Sequence, residues 1–493
     1  MYTQIIEALP GIVPELILLG AVCLMFLAGP FTTGSGLRHR WGALSLLALA
    51  VTGYWSLNST IVGQGSGPFQ SDGLVWFIRL LLVGIGAILV LILWNQIDDE
   101  HSAECHACLL AILAGASFTA LANDLVVLFL GLELVSIPTY VLLYLPRRDG
   151  PSREATLKYF LLSIFSSAFV LYGMALLYGA AGTTDLSLVR SLLMLSPAND
   201  TTRAVVLIGT TLVIAGLGFR ITAVPFHFYA PDVFQGIPAA TAAMLSFIPK
   251  VVGFVALVRL VMPALMDAHN GRSSIDSAAV FAAPLIGGLA VMTMFVGNLM
   301  ALRQSNLHRL MAYSSIAHAG YMMVGLALGE TSTQSGKRAL LFYLAIYGVM
   351  TIGFFAAISA FGKGKGLRTR DDLNGLSRRH PAGAFVLSLF LFSLIGLPPT
   401  GGFLGKFNLF LAAWTHSPFG RLLAGVMALN AAIGAWYYLR LISVMYLQSG
   451  EENETETPQL PTWIAACLCA VGTITLFIHP GLLWSLVERA TGG

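Results

Sequence analysis

Residues 216–238 read GLGFRITAVPFHFYAPDVFQGIP and residues 394–407 read LIGLPPTGGFLGKF. The first closes a long apolar run at Val224-Pro225-Phe226, with Pro231 following. The second interrupts an apolar run with Pro398 and Pro399, set between Gly396 and the pair Gly401 and Gly402. Proline removes a helix hydrogen bond and clashes with the preceding turn, while glycine loosens the backbone. Each stretch therefore predicts a broken helix. Each also carries a cation close to its break, Arg220 in the first and Lys406 in the second.

The chain around them is 493 residues long, 56% hydrophobic and 10% charged, against roughly 25% charged residues in soluble domains. A bilayer core needs about 20 apolar residues per helix. About fourteen segments meet that need: 12–31, 41–62, 74–95, 108–125, 126–145, 155–181, 204–224, 239–265, 278–301, 310–328, 339–361, 382–414, 422–447 and 463–484. The expected fold is an all-α polytopic membrane protein, a single membrane domain over residues 1–493. A helix broken at membrane depth must be buried in protein or line water. Two breaks five segments apart lie in opposite orientations across the membrane, the pattern of inverted five-helix repeats with paired discontinuous helices. The approximate repeats are 105–265 and 278–447.

The first segment carries Pro14 and Glu15 without a basic leader, and reads as a retained helix. The longest polar connections, 182–203 and 362–381, read as surface loops. Nothing here has the length or charge of a soluble or nucleic-acid-binding module. The net charge is only +3, but its distribution orients the chain. Basic residues gather in alternate connections: Arg38 and Arg40; Arg147, Arg148 and Arg153; Arg303 and Arg309; then Lys363, Lys365, Arg368, Arg370, Arg378 and Arg379. The positive-inside rule puts these connections in the cytoplasm and both termini outside it. The acidic runs Asp98 to Glu100 and Glu451 to Glu456 fall on the same side, where acidic residues count for little.

Glu133, Arg220, Lys250 and Lys406 are ionisable side chains, each read as near the middle of a long apolar segment. A charge at that depth costs from about 2.5 to 17 kcal/mol depending on the reference state, so such residues face a protein interior or a water-filled path. Lys250 follows Pro249 and is too central to snorkel. Lys406 follows the second break by two turns and should hang beside its disrupted backbone. Lys158, Arg79, His227, His308 and His318, with Ser136, Thr139, Ser314 and Ser315, could complete a polar line between them. Histidine titrates near neutrality and suits a proton relay, although a single histidine in an apolar helix is more often just hydrogen-bonded in place. Arg259, Arg303 and Arg309 read as anchors at helix ends. Cys105 and Cys108 have a CxxC spacing with no second pair, and Cys467 and Cys469 point to different helix faces. The five cysteines form no metal or disulfide framework.

Five stretches carry a family resemblance: LGLELVSIPTY (130–140), EATLKYF (154–160), the 216–238 run quoted above, RLMAYSSIAHAGY (309–321) and LIGLPPTGGFLGKF (394–407). Together they resemble the antiporter-like membrane subunits of respiratory complex I, above all the subunit N group of proton-translocating NADH-quinone oxidoreductases. The resemblance covers nearly the whole chain and implies a proton-translocating membrane subunit in the inner membrane of a bacterium, assembled with other membrane subunits. It places NAD, FMN, iron–sulfur clusters and quinone in partner subunits, with no cofactor in this chain. Glu133 then matches the family's fifth-helix glutamate, Lys158 the sixth-helix lysine, Lys250 the eighth-helix lysine and Lys406 the twelfth-helix lysine. His318 remains a possible relay.

One position departs from the pattern, since Arg220 stands where the family has a seventh-helix lysine. Arginine is effectively always protonated, with a pKa above about 12. It is expected to modulate Glu133 electrostatically, through two parallel hydrogen bonds, rather than to carry protons. The alternatives are a subunit of a multi-subunit cation/proton antiporter, whose membrane subunits share this fold, and a structural scaffold should Arg220 disable transfer.

Overall fold

The computed structural model describes residues 2–59, 67–147, 149–194, 199–262, 265, 278–329, 335–361, 366–449 and 457–491. Arg148, Lys363, Lys365 and the run Glu451 to Glu456 lie outside the described residues. Regular structure among the described residues is helical, with three isolated β-bridges. The helices are α1 (Tyr2–Ala28), α2 (Leu37–Asn58), α3 (Gly73–Leu93), α4 (Ser102–Leu121), α5 (Leu125–Tyr144), α6 (Gly150–Ala181), α7 (Leu186–Met194), α8 (Asp200–Arg220), α9 (Ala230–Gly236) and α10 (Ala239–Leu260). They continue with α11 (Ala278–Ala301), α12 (Leu307–Leu328), α13 (Gly336–Ala360), α14 (Leu376–Arg379), α15 (Pro381–Ile395), α16 (Gly401–His416), α17 (Pro418–Leu447), α18 (Leu460–Ile478) and α19 (Pro480–Thr491). Eleven helices among the described residues are long and apolar enough to cross a membrane, so the chain is an all-α polytopic membrane protein.

Short polar side chains start these helices. Asp72, Asp124, Asp149, Asn199, Asn306, Ser335 and Ser417 accept hydrogen bonds from first-turn amides of α3, α5, α6, α8, α12, α13 and α17, satisfying donors that a helix end leaves without partners. α10 and α13 form the centre, with Ala240 to Leu260 and Ala339 to Tyr347 buried. Their amphipathicity is weak because they are surrounded by protein on all sides.

Both predicted breaks are present. In the first, α8 stops at Arg220 and the chain stays unwound until α9. The freed backbone finds tertiary partners: Phe219 O accepts from the Tyr229 hydroxyl at 3.1 Å, and Val224 N donates to Thr293 Oγ1 at 2.9 Å. In the second, α15 ends at Ile395 and is capped by Gly396, whose φ of 86° favours glycine, and Gly402 N donates to Ser393 Oγ at 3.1 Å. A Cβ on Gly402 would stand 1.9 Å from Ser393 O. Both breaks contain a cis prolyl bond, Val224-Pro225 and Pro398-Pro399.

Two sequence expectations need correction. The connection 182–203 is not only loop: it folds α7, which buries Leu186, Val189 and Leu193 because its apolar residues recur at helical spacing. The last segment is not one helix through residue 484, since the chain turns at His479 before Pro480. α19 then docks on α3, with the Arg489 guanidinium 4.7 Å from the Trp76 ring.

The basic connections collect on one face of the bundle. Asp99 Oδ2 and Oδ1 accept from Gly36 N and Arg38 N, at 2.8 and 2.9 Å, and Leu307 N donates to Arg368 O at 2.7 Å. The opposite face holds Asp72, which meets Arg259 through two hydrogen bonds of 2.6 and 2.8 Å.

Gly402→Ala should lower the thermal midpoint of the purified protein by the equivalent of about 1–3 kcal/mol, the usual cost of overpacking. Gly425→Ala, where an added Cβ meets nothing within 4 Å, should leave the midpoint unchanged or raise it by up to the equivalent of about 1 kcal/mol. Equal midpoints for the two variants would contradict the close approach at the second break.

Candidate functional site

Glu133 lies in the interior of α5, and Arg220 is the last residue of α8, where a cation complements the helix dipole. Their side chains meet: Arg220 Nη2 donates to Glu133 Oε1 at 3.1 Å. Ser167 of α6 donates to the same oxygen at 2.5 Å. The pairing differs from the two parallel bonds expected, because only one guanidinium nitrogen reaches the carboxylate and Arg220 Nε is buried without a hydrogen-bond partner. Leu130 and Ile137, one turn away on either side of Glu133, point outward. Its own side chain accordingly stays 23% exposed, whereas Arg220 is 4% exposed.

Lys250 is fully buried on α10. Its Nζ donates to Ser315 Oγ of α12 at 2.6 Å, and the Tyr347 hydroxyl of α13 donates to the same oxygen at 2.8 Å. The Tyr347 ring stands 6.0 Å from the ammonium and 5.3 Å from the His318 ring. His318 Nδ1 meets the Tyr343 hydroxyl, and its Nε2 lies 3.3 Å from the Tyr438 hydroxyl, which in turn hydrogen-bonds Ser314. Lys250 and His318 are thus joined through hydroxyls and aromatic rings.

Lys406 sits on α16 and reaches back across the second break. Its Nζ donates to the carbonyls of Leu394 and Ile395 at 2.7 and 3.0 Å, capping the negative end of α15. The Tyr321 ring lies 4.9 Å from the ammonium, close enough for a cation–π contact. The Tyr321 hydroxyl accepts from Asn298 Nδ2 at 3.3 Å, and Asn298 also meets Asn430 and the Tyr437 hydroxyl, each at 3.1 Å.

Arg220 and Lys250 fall in separate hydrogen-bonded clusters, but their helices touch. A Cβ on Gly253, three residues after Lys250, would stand 3.4 Å from Arg220 Cβ. The remaining sequence candidates scatter. Lys158 is 41% exposed and pairs with Glu154 and Asp232, at 2.7 and 2.9 Å, apart from Glu133. Arg309 pairs with Asp232 at 2.6 Å, so it holds α12 to α9 as well as ending a helix. Arg79 is engaged with Glu15 through bonds of 2.8 and 2.7 Å, backed by Ser117. Ser136 and Thr139 donate to carbonyls of their own helix. His227 stays at the first break, and His308 is buried against Phe355.

Sequence reasoning missed Ser167, Tyr343, Tyr347, Tyr438, Asn298 and Asn430 as members of these clusters. Asn298 and Asn430 had a signal, being amides inside apolar runs. The tyrosines and Ser167 had none, because such residues are common in membrane helices. Among the described residues, no group of three or more His, Cys, Asp or Glu side chains could hold a metal ion.

A family model described as "NADH:quinone oxidoreductase/Mrp antiporter, TM" matches residues 122–431. NADH-quinone oxidoreductase subunit N 1 of Solibacter usitatus (strain Ellin6076) is 37% identical over 489 residues, covering 97% of this chain and 95% of that protein. Subunit N of Trichlorobacter lovleyi is 37% identical over 486 residues, covering 97% and 96%. A chain of respiratory complex I from Thermus thermophilus superposes with a TM-score of 0.79 at 29% identity, covering 96% of this chain and 99% of that one. A chain of the Mrp complex from Dietzia sp. shares the fold, with a TM-score of 0.79 at 20% identity over 100% of this chain and 97% of that one.

Lys406→Met keeps the length of the side chain but leaves the Leu394 and Ile395 carbonyls without their ammonium. It should cost about 1–2 kcal/mol, seen as a lower thermal midpoint, with Lys406→Arg nearer the parent. A Met variant as stable as the parent would show that the contact carries no stability.

Proposed function

This chain belongs to the NADH:quinone oxidoreductase/Mrp antiporter membrane family, and on that premise we propose that Glu133, Lys250 and Lys406 pass protons through it. The chain is a membrane subunit of NADH-quinone oxidoreductase, part of proton-translocating respiratory complex I. It works among other membrane subunits in the bilayer, and the NAD, FMN, iron–sulfur clusters and quinone belong to partner subunits.

Lys250 is the observation that carries the proton path. It is fully buried, and no carboxylate pairs with it among the described residues; its hydrogen bond goes to a hydroxyl. A buried charge without a counter-ion is costly, and membrane proteins retain such groups for transport. A proton leaving Lys250 has Ser315 and Tyr347 at hand, then His318 as relay, and Tyr438 and Tyr343 beyond it. The step from Tyr347 to His318 is a ring contact, which a bridging water would complete. Lys406 receives the charge beside the second break, where carbonyl oxygens stabilise an ammonium.

Arg220 acts as a fixed positive charge. Its Cβ packs at Gly253, one turn from Lys250, so an Arg220 released from Glu133 repels a proton on Lys250 more than an Arg220 paired with Glu133 does. The pair thereby couples an event at Glu133 to the centre of the chain. Lys158, tied to Glu154 and Asp232, serves as a relay group at the surface. The cation/proton antiporter alternative shares the family model and the fold, but the relatives with 37% identity over nearly the whole chain are subunits N of NADH-quinone oxidoreductase.

The eleven span-length helices, with α2, α12 and the half-helices α15 and α16 taken as one crossing, make fourteen crossings. Each stretch holds one broken helix, α8 and α9 in the first and α15 and α16 in the second, which supports inverted repeats over 105–265 and 278–447. The arginine-rich face is cytoplasmic and both termini are not, in the inner membrane of a bacterium.

Lys250→Ala and Lys406→Ala should each lower proton pumping by the assembled complex while NADH-binding subunits remain attached. Unchanged pumping at normal assembly would remove the lysine from the path. Arg220→Lys should keep pumping and Arg220→Ala should impair it, measured as protons moved per NADH oxidised; an Ala variant that pumps like the parent would end the modulator role. A single cysteine placed at Asp371 should react with a membrane-impermeant thiol reagent from the cytoplasmic side of inverted vesicles, and labelling from the outside of intact cells would reverse the orientation.

A further inference from the structure

On the arginine-rich face the starts of α6 and α12, together with α9, enclose a cavity of about 420 Å3, within the range of roughly 300–1,000 Å3 common for small-molecule sites. Four cations, Arg147, Lys158, Arg309 and Arg368, line it against two carboxylates, Glu154 and Asp232. Both carboxylates are occupied. Lys158 Nζ lies 2.7 Å from Glu154 and 2.9 Å from Asp232, whose other oxygen meets Arg309 Nη1 at 2.6 Å. Arg147 meets Asp149 through Nη2, but its Nη1 is buried without a hydrogen-bond partner. A guanidinium can only donate, so what satisfies that nitrogen is an oxygen. Arg368, in the connection before α14, has its pKa pushed down first by burial and then by the Arg147 charge, which Asp149 partly offsets. Two guanidinium groups that repel each other on the wall of one polar space favour an anion between them.

The rim of this cavity runs directly into an apolar wall. On α6, Glu154 is followed by Leu157, Leu161 and Ile164 at three- and four-residue intervals, which places all four on one stripe of the helix. The three apolar members are exposed, as are Phe160 and Phe165 beside them. On a helix long and apolar enough to cross the bilayer, such a stripe meets acyl chains. The cavity and the stripe together match a molecule with an anionic head and apolar tails. A free phosphate would leave the stripe unused, and a zwitterionic head would bring its ammonium into a surplus of cations.

We propose that this cavity binds the phosphate of an anionic phospholipid, with Arg147 and Arg368 donating to its oxygens and the acyl chains lying along Leu157, Leu161 and Ile164 of α6. Basic pockets between membrane helices hold anionic headgroups in this way. Lys158 and Arg309 serve the site indirectly: by neutralising Glu154 and Asp232 they remove the carboxylate repulsion that a phosphate would otherwise meet. The lipid ties the α5–α6 connection, which carries Arg147, to the connection before α14, which carries Arg368. Neither arginine is among the groups assigned to proton transfer, so the site stands apart from that reading.

The test uses the whole complex in detergent micelles carrying phosphatidylglycerol or phosphatidylcholine with a photoactivatable group near the glycerol, and reads the labelled peptides by mass spectrometry. Phosphatidylglycerol should label α6 near Leu157 several-fold more than phosphatidylcholine does. Arg147→Gln combined with Arg368→Gln should remove that preference, whereas Arg378→Gln, at an exposed arginine off the cavity, should leave it. Equal labelling by the two lipids in the parent, or a preference that survives the double substitution, overturns the proposal. Should the double variant not assemble, competition on the parent decides. Unlabelled phosphatidylglycerol should displace the label and millimolar inorganic phosphate should not. Failure of the lipid to compete overturns the site, and displacement by inorganic phosphate assigns the cavity to the free anion and overturns the lipid.

Discussion

A peptide group at membrane depth has no water to bond, so every backbone amide and carbonyl freed by a broken helix must find a partner within the protein. The two breaks meet this demand differently. Tyr229 and Thr293 take up the backbone at the first. Ser393 and the ammonium of Lys406 take it up at the second. Lys406 is therefore held in place by the same carbonyls that the break exposes, and the distortion of the helix and the position of the charge are one feature.

The cations of the helices fall into two groups by partner. Arg79, Arg259 and Arg309 each have a carboxylate, in Glu15, Asp72 and Asp232. Such pairs tie helices together: Arg79 joins α3 to α1, and Arg259 joins α10 to the cap of α3. Lys250 and Lys406 instead meet a hydroxyl and two carbonyls, which accept a proton-bearing group without fixing its charge by ion pairing. Arg220 belongs with the arginines in having Glu133. Its single contact, shared with Ser167, leaves the pair looser than the other buried arginine pairs.

The aromatic residues around His318 explain how a polar site persists in an apolar bundle. Tyr343, Tyr347, Tyr438 and Tyr321 cover the imidazole with rings while offering hydroxyls at their tips, so apolar surface and hydrogen-bonding groups alternate within one layer. The centre is thus dry enough to make charge movement matter electrostatically and polar enough to allow it.

The sequence by itself determined the membrane class and the two breaks, and it singled out Glu133, Arg220, Lys250 and Lys406 as candidates, because each is a local violation of an apolar background and needs no knowledge of neighbours. Pro225, Pro398 and Pro399 announce a break through their own covalent geometry. A charge among apolar residues announces itself through its desolvation cost. Tertiary structure alone decided the partners. That Glu15 belongs to Arg79 and Asp72 to Arg259, that Lys158 turns to Asp232 and not to Glu133, that Arg220 uses one nitrogen, and that His308 packs against Phe355 all depend on which helix faces which. α7 and the turn at His479 escaped for a related reason: short helices are stabilised by the surfaces they cover, here through Leu186, Val189 and Leu193. Helix packing in a bilayer is set by shape and by a few hydrogen bonds between residues distant in the chain, and an apolar alphabet shared by every helix carries little record of it.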